Sequence, residues 1–242
     1  MIKRACSRKC DELRQIALIP NYYQYCDGSC FVKFGKTHVI CAATIEEKVP
    51  LFLKNTKTGW IAAEYGMLPC SCQDRTDREA VKGKQSGRTL EIQRLIGRSL
   101  RSIVDLSLLG ERQIKIDCDV IQADGGTRTA SINGSFVAMY LAIHKLLKRG
   151  SVSENPIKSH VVAISCGIVA GTPLLDLDYL EDSRAEVDAN FIMSNSGIVE
   201  IQSCGERRPF SEDEFALLLS YAKKGKEELI KHQKQALEGI IP

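Results

Sequence analysis

Residues 113–148 leave little choice of local structure. Ile114, Ile116, Cys118 and Val120 alternate with Lys115, Asp117 and Asp119, the two-residue period of a half-buried strand. Asp124-Gly125-Gly126 interrupts that period. A helix is then expected over about 130–148, with an apolar stripe of Ile132, Phe136, Met139/Tyr140, Ile143 and Leu147. A strand that feeds a helix through a Gly-Gly turn demands a layered fold of mixed elements. It also leaves the helix's first amides, and the positive end of its dipole, facing whatever lies beyond the turn.

The flanking segments extend this pattern. Phe31-Val32-Lys33-Phe34 and His38-Val39-Ile40-Cys41 flank Gly35-Lys36-Thr37 as a hairpin. Residues 47–88 read as polar and irregular apart from the apolar stretch Trp60–Leu68. Residues 89–105 read as a helix with Ile92, Leu95, Ile96, Leu100 and Ile103 on one side. Strands are expected near 161–169, 174–180, 187–193 and 198–202, with a turn at Asn195-Ser196-Gly197. Ser211 and Glu214 form a capping box, and Phe210 and Phe215 a hydrophobic staple, for a last helix reaching Leu237. Gly150, Asn155 and Pro156 mark residues 150–158 as the boundary between two similar halves, about 1–150 and 151–242, of one α+β domain over 1–242.

With 44% apolar and 26% charged residues the chain has globular composition, which excludes wholesale disorder. The longest apolar run, Val161 to Val169, falls far short of the ~18 residues of a membrane span. No apolar segment follows the initial MIKRACSRKC, so no secretory signal is expected and the compartment expected is the cytoplasm. The ten cysteines, at 6, 10, 26, 30, 41, 70, 72, 118, 166 and 204, contain no CxxC pair. They are expected to be reduced thiols without metal, with Cys118 and Cys166 as small core residues.

The net charge of +3 says less than its distribution. Residues 75–101 carry eight bases against three acids, and residues 174–190 six acids against Arg184. One soluble chain with both blocks points to an anionic ligand and a cation site, or to two solvated faces that pair. Three segments could carry the chemistry. In the first, Gly126, Thr127 and Arg128 combine a close-approach backbone, a hydroxyl and a two-pronged guanidinium suited to phosphate; a plain turn capped by Thr127 or Thr129 is the alternative. In the second, Lys82-Gly83-Lys84-Gln85-Ser86-Gly87-Arg88-Thr89 opens a helix, with Arg88 near its start; Arg98 and Arg101 read as a solvated face. In the third, Asp176, Asp178 and Asp182 share one face if Leu174–Asp182 stays extended. Crowded carboxylates of that kind suit Mg²⁺ or Mn²⁺, or general acid work by one of them; an exposed acidic edge is the alternative. His38, His144, His160 and His232 suggest no nucleophile–base pair.

Long strings of residues carry a family resemblance. They are Trp60–Pro69 (WIAAEYGMLP), Gly87–Arg98 (GRTLEIQRLIGR), Ile116–Ser131 (IDCDVIQADGGTRTAS) and Asp176–Ser183 (DLDYLEDS). The chain resembles the bacterial ribonuclease PH family of phosphate-dependent 3′ exoribonucleases, tRNA nucleotidyltransferases that trim tRNA precursors. The resemblance implies two βαβ-type halves like the second domain of ribosomal protein S5. It also implies a homo-hexamer built as a trimer of dimers. Arg88, Gly126, Thr127 and Arg128 would bind inorganic phosphate as co-substrate. Asp176, Asp178 and Asp182 would be catalytic, with Asp176 and Asp182 on a Mg²⁺ or Mn²⁺ ion. Arg75 and Arg78 would guide single-stranded RNA 3′ ends.

The chemistry agrees with the residues. Phosphate is already an anionic nucleophile, so no Ser, Cys or His is required; positioning and charge neutralisation are. Phosphate would attack the last phosphodiester and release a nucleoside diphosphate, reversibly. The departures are Cys70-Ser71-Cys72 after Leu68-Pro69, where the family often has an arginine; Arg4-Ala5-Cys6-Ser7-Arg8 for Arg-x-Asp-Gly-Arg; and Gln202-Ser203-Cys204-Gly205-Glu206 for Gln-Gly-Thr-Ala-Glu. The last is expected to alter a turn near the acidic site. The rival readings are a catalytically silent RNA-binding ring subunit, a hydrolytic metal nuclease and a basic scaffold.

Overall fold

The computed structural model describes Arg4 and residues 7–240. Five strands form the first sheet: β1 (Ile16–Pro20), β2 (Gly28–Phe34), β3 (Thr37–Glu46), β4 (Trp60–Met67) and, after helices α1 (Glu79–Lys82) and α2 (Gly87–Arg101), β5 (Gln113–Gln122). Their order is β1-β2-β3-β5-β4. Only β4 and β5 run parallel, so α2 is the crossover of a βαβ unit. The predicted stripe on α2 is the buried one, with Ile92, Leu95, Ile96 and Leu100 removed from solvent.

Helix α3 (Thr127–Lys148) leads to the second sheet: β6 (Val161–Val169), β7 (Thr172–Leu175), α4 (Tyr179–Asp182), β8 (Val187–Ser194) and β9 (Ile198–Cys204), closed by α5 (Glu212–Leu237). Its order is β7-β6-β8-β9, every pair antiparallel. The βαβ unit expected of each half is therefore present only in the first. β6 is buried at every position, with both α3 and α5 packed on it, which explains a run that is apolar but for Ser165 and Gly167. The capping box of Ser211 and Glu214 forms as read, and the Phe210 and Phe215 rings lie 6.5 Å apart.

α3 departs from the expectation of an amphipathic surface helix. It starts at Thr127, and it is buried on nearly every side as far as Leu146 because it lies between the two sheets. Small residues let it approach. The Gly28 Cα faces the Ala138 carbonyl and Ala142 amide, and Gly134 rests on Val32 and Cys41. On the other side Asn133 Nδ2 donates to the Ala163 carbonyl at 2.8 Å. Under the helix, Cys30, Cys41 and Cys118 stand opposite one another across β2, β3 and β5. The nine described cysteines are free thiols, and burial pushes Cys30 up to about 12; Cys6 lies outside the described residues.

Three other readings need correction. The strand expected over 174–180 ends at Leu175, where the chain turns into α4. Arg98 is exposed as read, paired through Nη2 with Glu200 at 2.7 Å, but Arg101 is not part of a solvated face: its guanidinium lies 4.2 Å over the Trp60 ring while donating to the Ile61 carbonyl. Ser203 lies inside β9 opposite Ala189, so the missing family glycine alters no turn.

A Cβ at Gly134 would overlap Val32 Cγ2 and fall 2.8 Å from Cys41 Sγ. Gly134→Ala is expected to destabilise the fold by about 1–3 kcal/mol in urea unfolding, the cost of overpacking a filled core.

Candidate active site

The β5–α3 turn has a geometry that could take an anion. Gly125 and Gly126 both take the left-handed conformation, with φ of 74° and 67°, which glycine adopts without steric cost. No side chain caps α3: the Thr129 hydroxyl, an alternative cap in the sequence, donates to the Gly126 carbonyl at 2.9 Å instead. The first amides of α3 are thus left for a ligand.

These amides open into a small cleft lined by Arg88, Gly126, Thr127, Arg128, Ser165, Asp182, Asp188 and Asn190. Its volume of about 60 Å³ holds a few waters, the scale of one small oxyanion. Arg88 stands in the first turn of α2, whose start is fixed by Ser86 accepting from the Thr89 amide and by Glu79 accepting from the Ser86 amide and the Thr89 hydroxyl. Arg128 is aimed by Gln202 of β9 at 2.7 Å and by Glu91 of α2 at 3.2 Å. Both guanidiniums therefore enter one cleft from different elements.

The structure places Asp182 in that cleft but leaves out Asp176 and Asp178. The shared face expected of the three does not exist, because the chain is not extended there: Asp176 takes φ 55° and Asp178 becomes the N-cap of α4. Asp178 Oδ1 accepts the Glu181 amide at 3.0 Å. Asp176 is buried and occupied. Its Oδ2 accepts from the Arg14 amide at 2.7 Å and from Arg14 Nε at 3.0 Å, and its Oδ1 from Arg14 Nη2 at 2.8 Å. Burial works to raise the Asp176 carboxyl, yet the Arg14 charge and hydrogen bonds hold it below the ordinary carboxylate range. The pairing expected to hold a metal, Asp176 with Asp182, is therefore replaced in the cleft by Asp182 with Asp188.

Asp188, which sequence reasoning missed, is the second residue of β8 and its one acid, in a strand whose other polar members are Asn190 and Ser194; that isolation was the available signal. Burial first, and the neighbouring Asp182 charge next, push its carboxyl up to about 6. Two repelling carboxylates beside a neutral Asn190 offer oxygen donors only, which suits a hard cation such as Mg²⁺. Among the described residues no group of three or more Asp, Glu, His or Cys side chains is arranged around a metal. A two-carboxylate site would thus leave most ligand positions to water and phosphate, as Mg²⁺ prefers.

A second cleft adjoins the first and shares Arg88; Tyr65, Met67, Leu68, Arg78 and Asp119 are among its walls. Arg78 faces it. Arg75 lies exposed and 3.6 Å from Asp77, outside this lining. Ser71 of the Cys70-Ser71-Cys72 departure accepts the Ala123 amide at 2.8 Å, bracing the start of the anion loop. Behind α4, Arg4 donates to Glu181 at 2.7 Å and to the Leu175 carbonyl at 2.8 Å. Arg8 donates to the Asp176 carbonyl at 2.9 Å. Residues 5 and 6 of that departure lie outside the described residues. Ser7, at the family's glycine position, takes φ 57°. None of the histidines lines either cleft.

Comparison with known proteins agrees with this architecture. Residues 12–143 match the 3′ exoribonuclease family, domain 1, and residues 159–225 match domain 2 of that family. A protein named Ribonuclease PH from Neisseria meningitidis serogroup C is 58% identical over 232 residues, covering 96% of each chain. The Ribonuclease PH of serogroup B of that species is 58% identical over the same coverage. Among solved structures, rice Rrp46 matches with a TM-score of 0.79 at 19% identity, covering 97% of this chain and all of the other. An Archaeoglobus fulgidus exosome with RNA bound to the active site matches at 0.78 and 23% identity, covering 93% of this chain and 92% of the other. At these identities the solved structures show a shared fold.

With Asp188 titrating at about 6, against about 3.9 in an unfolded chain, the folded protein holds that proton more tightly between the two values. The contribution of Asp188 to stability therefore falls as pH rises through that window. In metal-free urea unfolding, Asp188→Asn is expected to gain stability relative to the parent at pH 7 and none at pH 4.

Proposed function

The chain belongs to the 3′ exoribonuclease family, and from that premise we propose that the cleft between Arg88, Arg128 and the start of α3 is where inorganic phosphate attacks RNA. The protein is a phosphate-dependent 3′ exoribonuclease. What carries the site assignment is the convergence of two guanidiniums and an uncapped helix start on a cleft sized for one oxyanion.

Phosphate bound by Arg88, Arg128 and the amides at Thr127 keeps one oxygen directed outward. The RNA 3′ end enters through the adjoining cleft, drawn by Arg78 and the exposed Arg75, which places the last phosphodiester against that oxygen. Attack forms a new P–O bond and breaks the bond to the 3′ oxygen of the preceding nucleotide. The products are a nucleoside diphosphate and an RNA one residue shorter. A phosphodiester is broken as a phosphoanhydride forms, and run in reverse the same step adds nucleotides from diphosphates and releases phosphate. The leaving 3′ oxygen needs a proton; Asp182 and Asp188 both hold one more tightly than an ordinary carboxyl, chiefly through burial. Asp182 and Asp188 are the residues that would hold Mg²⁺ or Mn²⁺, and a bound ion would offset charge building on the phosphate oxygens. Asp176 and Asp178 act by fixing the turn that carries Asp182.

The substrates proposed are tRNA precursor 3′ ends and other single-stranded RNA 3′ ends. Six copies as a trimer of dimers, working in the cytoplasm, complete the reading. Exposed Leu51, Phe52, Tyr179 and Leu180 offer apolar surface for subunit contacts, and among the described residues no helix is long and apolar enough to cross a membrane. A silent ring subunit would need no phosphate cleft, whereas here Arg88, Arg128, Asp182 and Asp188 all face one.

Product analysis on internally labelled single-stranded RNA with Mg²⁺ is expected to give nucleoside diphosphates only when phosphate is present. Monophosphates without phosphate would establish hydrolysis, and no product from folded, RNA-binding protein would establish a silent subunit. Arg88→Ala and Arg128→Ala are each expected to raise the KM for phosphate by about 10- to 100-fold, the loss of a charge-assisted hydrogen bond, with RNA affinity nearly unchanged. Asp182→Asn is expected to cut kcat by at least about 100-fold while its melting temperature stays within a few degrees of the parent.

A further inference from the structure

Tyr65 stands on β4 opposite Cys118 of β5, with its ring buried at 4% exposure. It borders the adjoining cleft, while Thr127 borders the phosphate cleft. The two side chains meet between the clefts: Tyr65 Oη and Thr127 Oγ1 lie 2.8 Å apart.

Each hydroxyl has one hydrogen, so one of the two must donate to the other. Among the described residues Tyr65 Oη has no second partner within hydrogen-bond distance. Were Thr127 the donor, the buried phenolic hydrogen would be left unmatched, a costly arrangement. Burial also keeps Tyr65 in its protonated form, against the weaker pull of Thr127 and Arg88. Tyr65 therefore donates to Thr127. The Thr127 hydrogen is then left to point elsewhere, and the cleft it lines is where an anion's oxygens are expected.

We propose that Tyr65 is a positioning residue for phosphate, fixing the Thr127 hydroxyl as a hydrogen-bond donor to an oxygen of the bound phosphate. This rests on the reading of the Arg88–Arg128 cleft as the phosphate site. It assigns a part to the tyrosine of the Glu64-Tyr65-Gly66 string, exerted through its contact with Thr127. Because the role runs through Thr127, the effect expected is on phosphate.

The test uses the full chain with single-stranded RNA and Mg²⁺. Tyr65→Phe removes one oxygen and keeps the ring that fills the core. It is expected to raise the KM for phosphate about fivefold, the worth of one neutral hydrogen bond. The KM for RNA and kcat at saturating phosphate should change by less than about twofold. Calorimetric titration of the RNA-free protein with inorganic phosphate should show the same weakening. In a Thr127→Val background, Tyr65→Phe should add nothing further. An unchanged phosphate KM, an equal rise in the KM for RNA, or full additivity with Thr127→Val would each overturn the proposal. Arg88→Ala, run alongside, separates two failures. If it raises the phosphate KM while Tyr65→Phe does not, only the role of Tyr65 falls. If it too leaves the phosphate KM unchanged, the cleft itself is misassigned.

Discussion

Arg14 and Asp176 make the contact on which the geometry of the site depends. Both are almost fully buried, at 7% and 2% exposure. The same guanidinium donates to the Asp124 carbonyl at 2.6 Å and to that of Gly125 at 3.4 Å. One side chain from the segment before β1 thus joins the anion loop of the first half to the acidic turn of the second. Buried ion pairs add little net stability over well-packed apolar groups, but breaking one strands a charge. What this pair supplies is position. It also explains how Asp176 persists at φ 55°, a conformation unfavourable to a residue with a Cβ. The turn is over-determined by three hydrogen bonds to one carboxylate.

The cleft then works by opposed charge. Arg88 and Arg128 make it hospitable to phosphate. Asp182 and Asp188, across from them, make it costly to leave without a cation or proton. Phosphate and the RNA backbone repel one another, so a site that brings them together needs more positive charge than its arginines supply. The carboxylates are the means of recruiting it. The network behind them is ordered outward: Arg128 to Gln202, Gln202 to Glu200, Glu200 to Arg98. A guanidinium in the cleft is thereby set by side chains of β9 and α2, Gln202, Glu200 and Arg98, that lie outside the cleft lining.

Much of this was legible in the sequence because it is local. The β5 alternation, the α2 stripe, the capping box of α5 and the glycines of the anion loop each depend on neighbours a few residues away. Arg88, Thr127, Arg128 and Asp182, which line one cleft, stood out because they sit at helix starts or in a charged cluster. What could not be read is what distance in the chain conceals. Arg14 is a lone arginine before a strand, and its partner is 162 residues away. Asp188 belongs to the cleft only because β8 pairs with β6. The stripe assigned to α3 was too narrow, since a helix buried between two sheets loses the polar face on which periodicity relies. Asp176 and Asp178 misled because an extended chain was assumed where a left-handed residue breaks it.

The cleft is shared between the halves: Arg88 and Gly126–Arg128 come from one, Ser165, Asp182, Asp188 and Asn190 from the other. A ligand bound there touches both, and so behaves as a fastener between them. By mass action, whatever binds only the assembled form adds to its stability in proportion to the logarithm of its concentration. Inorganic phosphate would then serve this protein twice, as the reagent it consumes and as a solute that keeps its two sheets clasped around α3, so that a phosphate-starved solution would hold a looser molecule as well as a slower one.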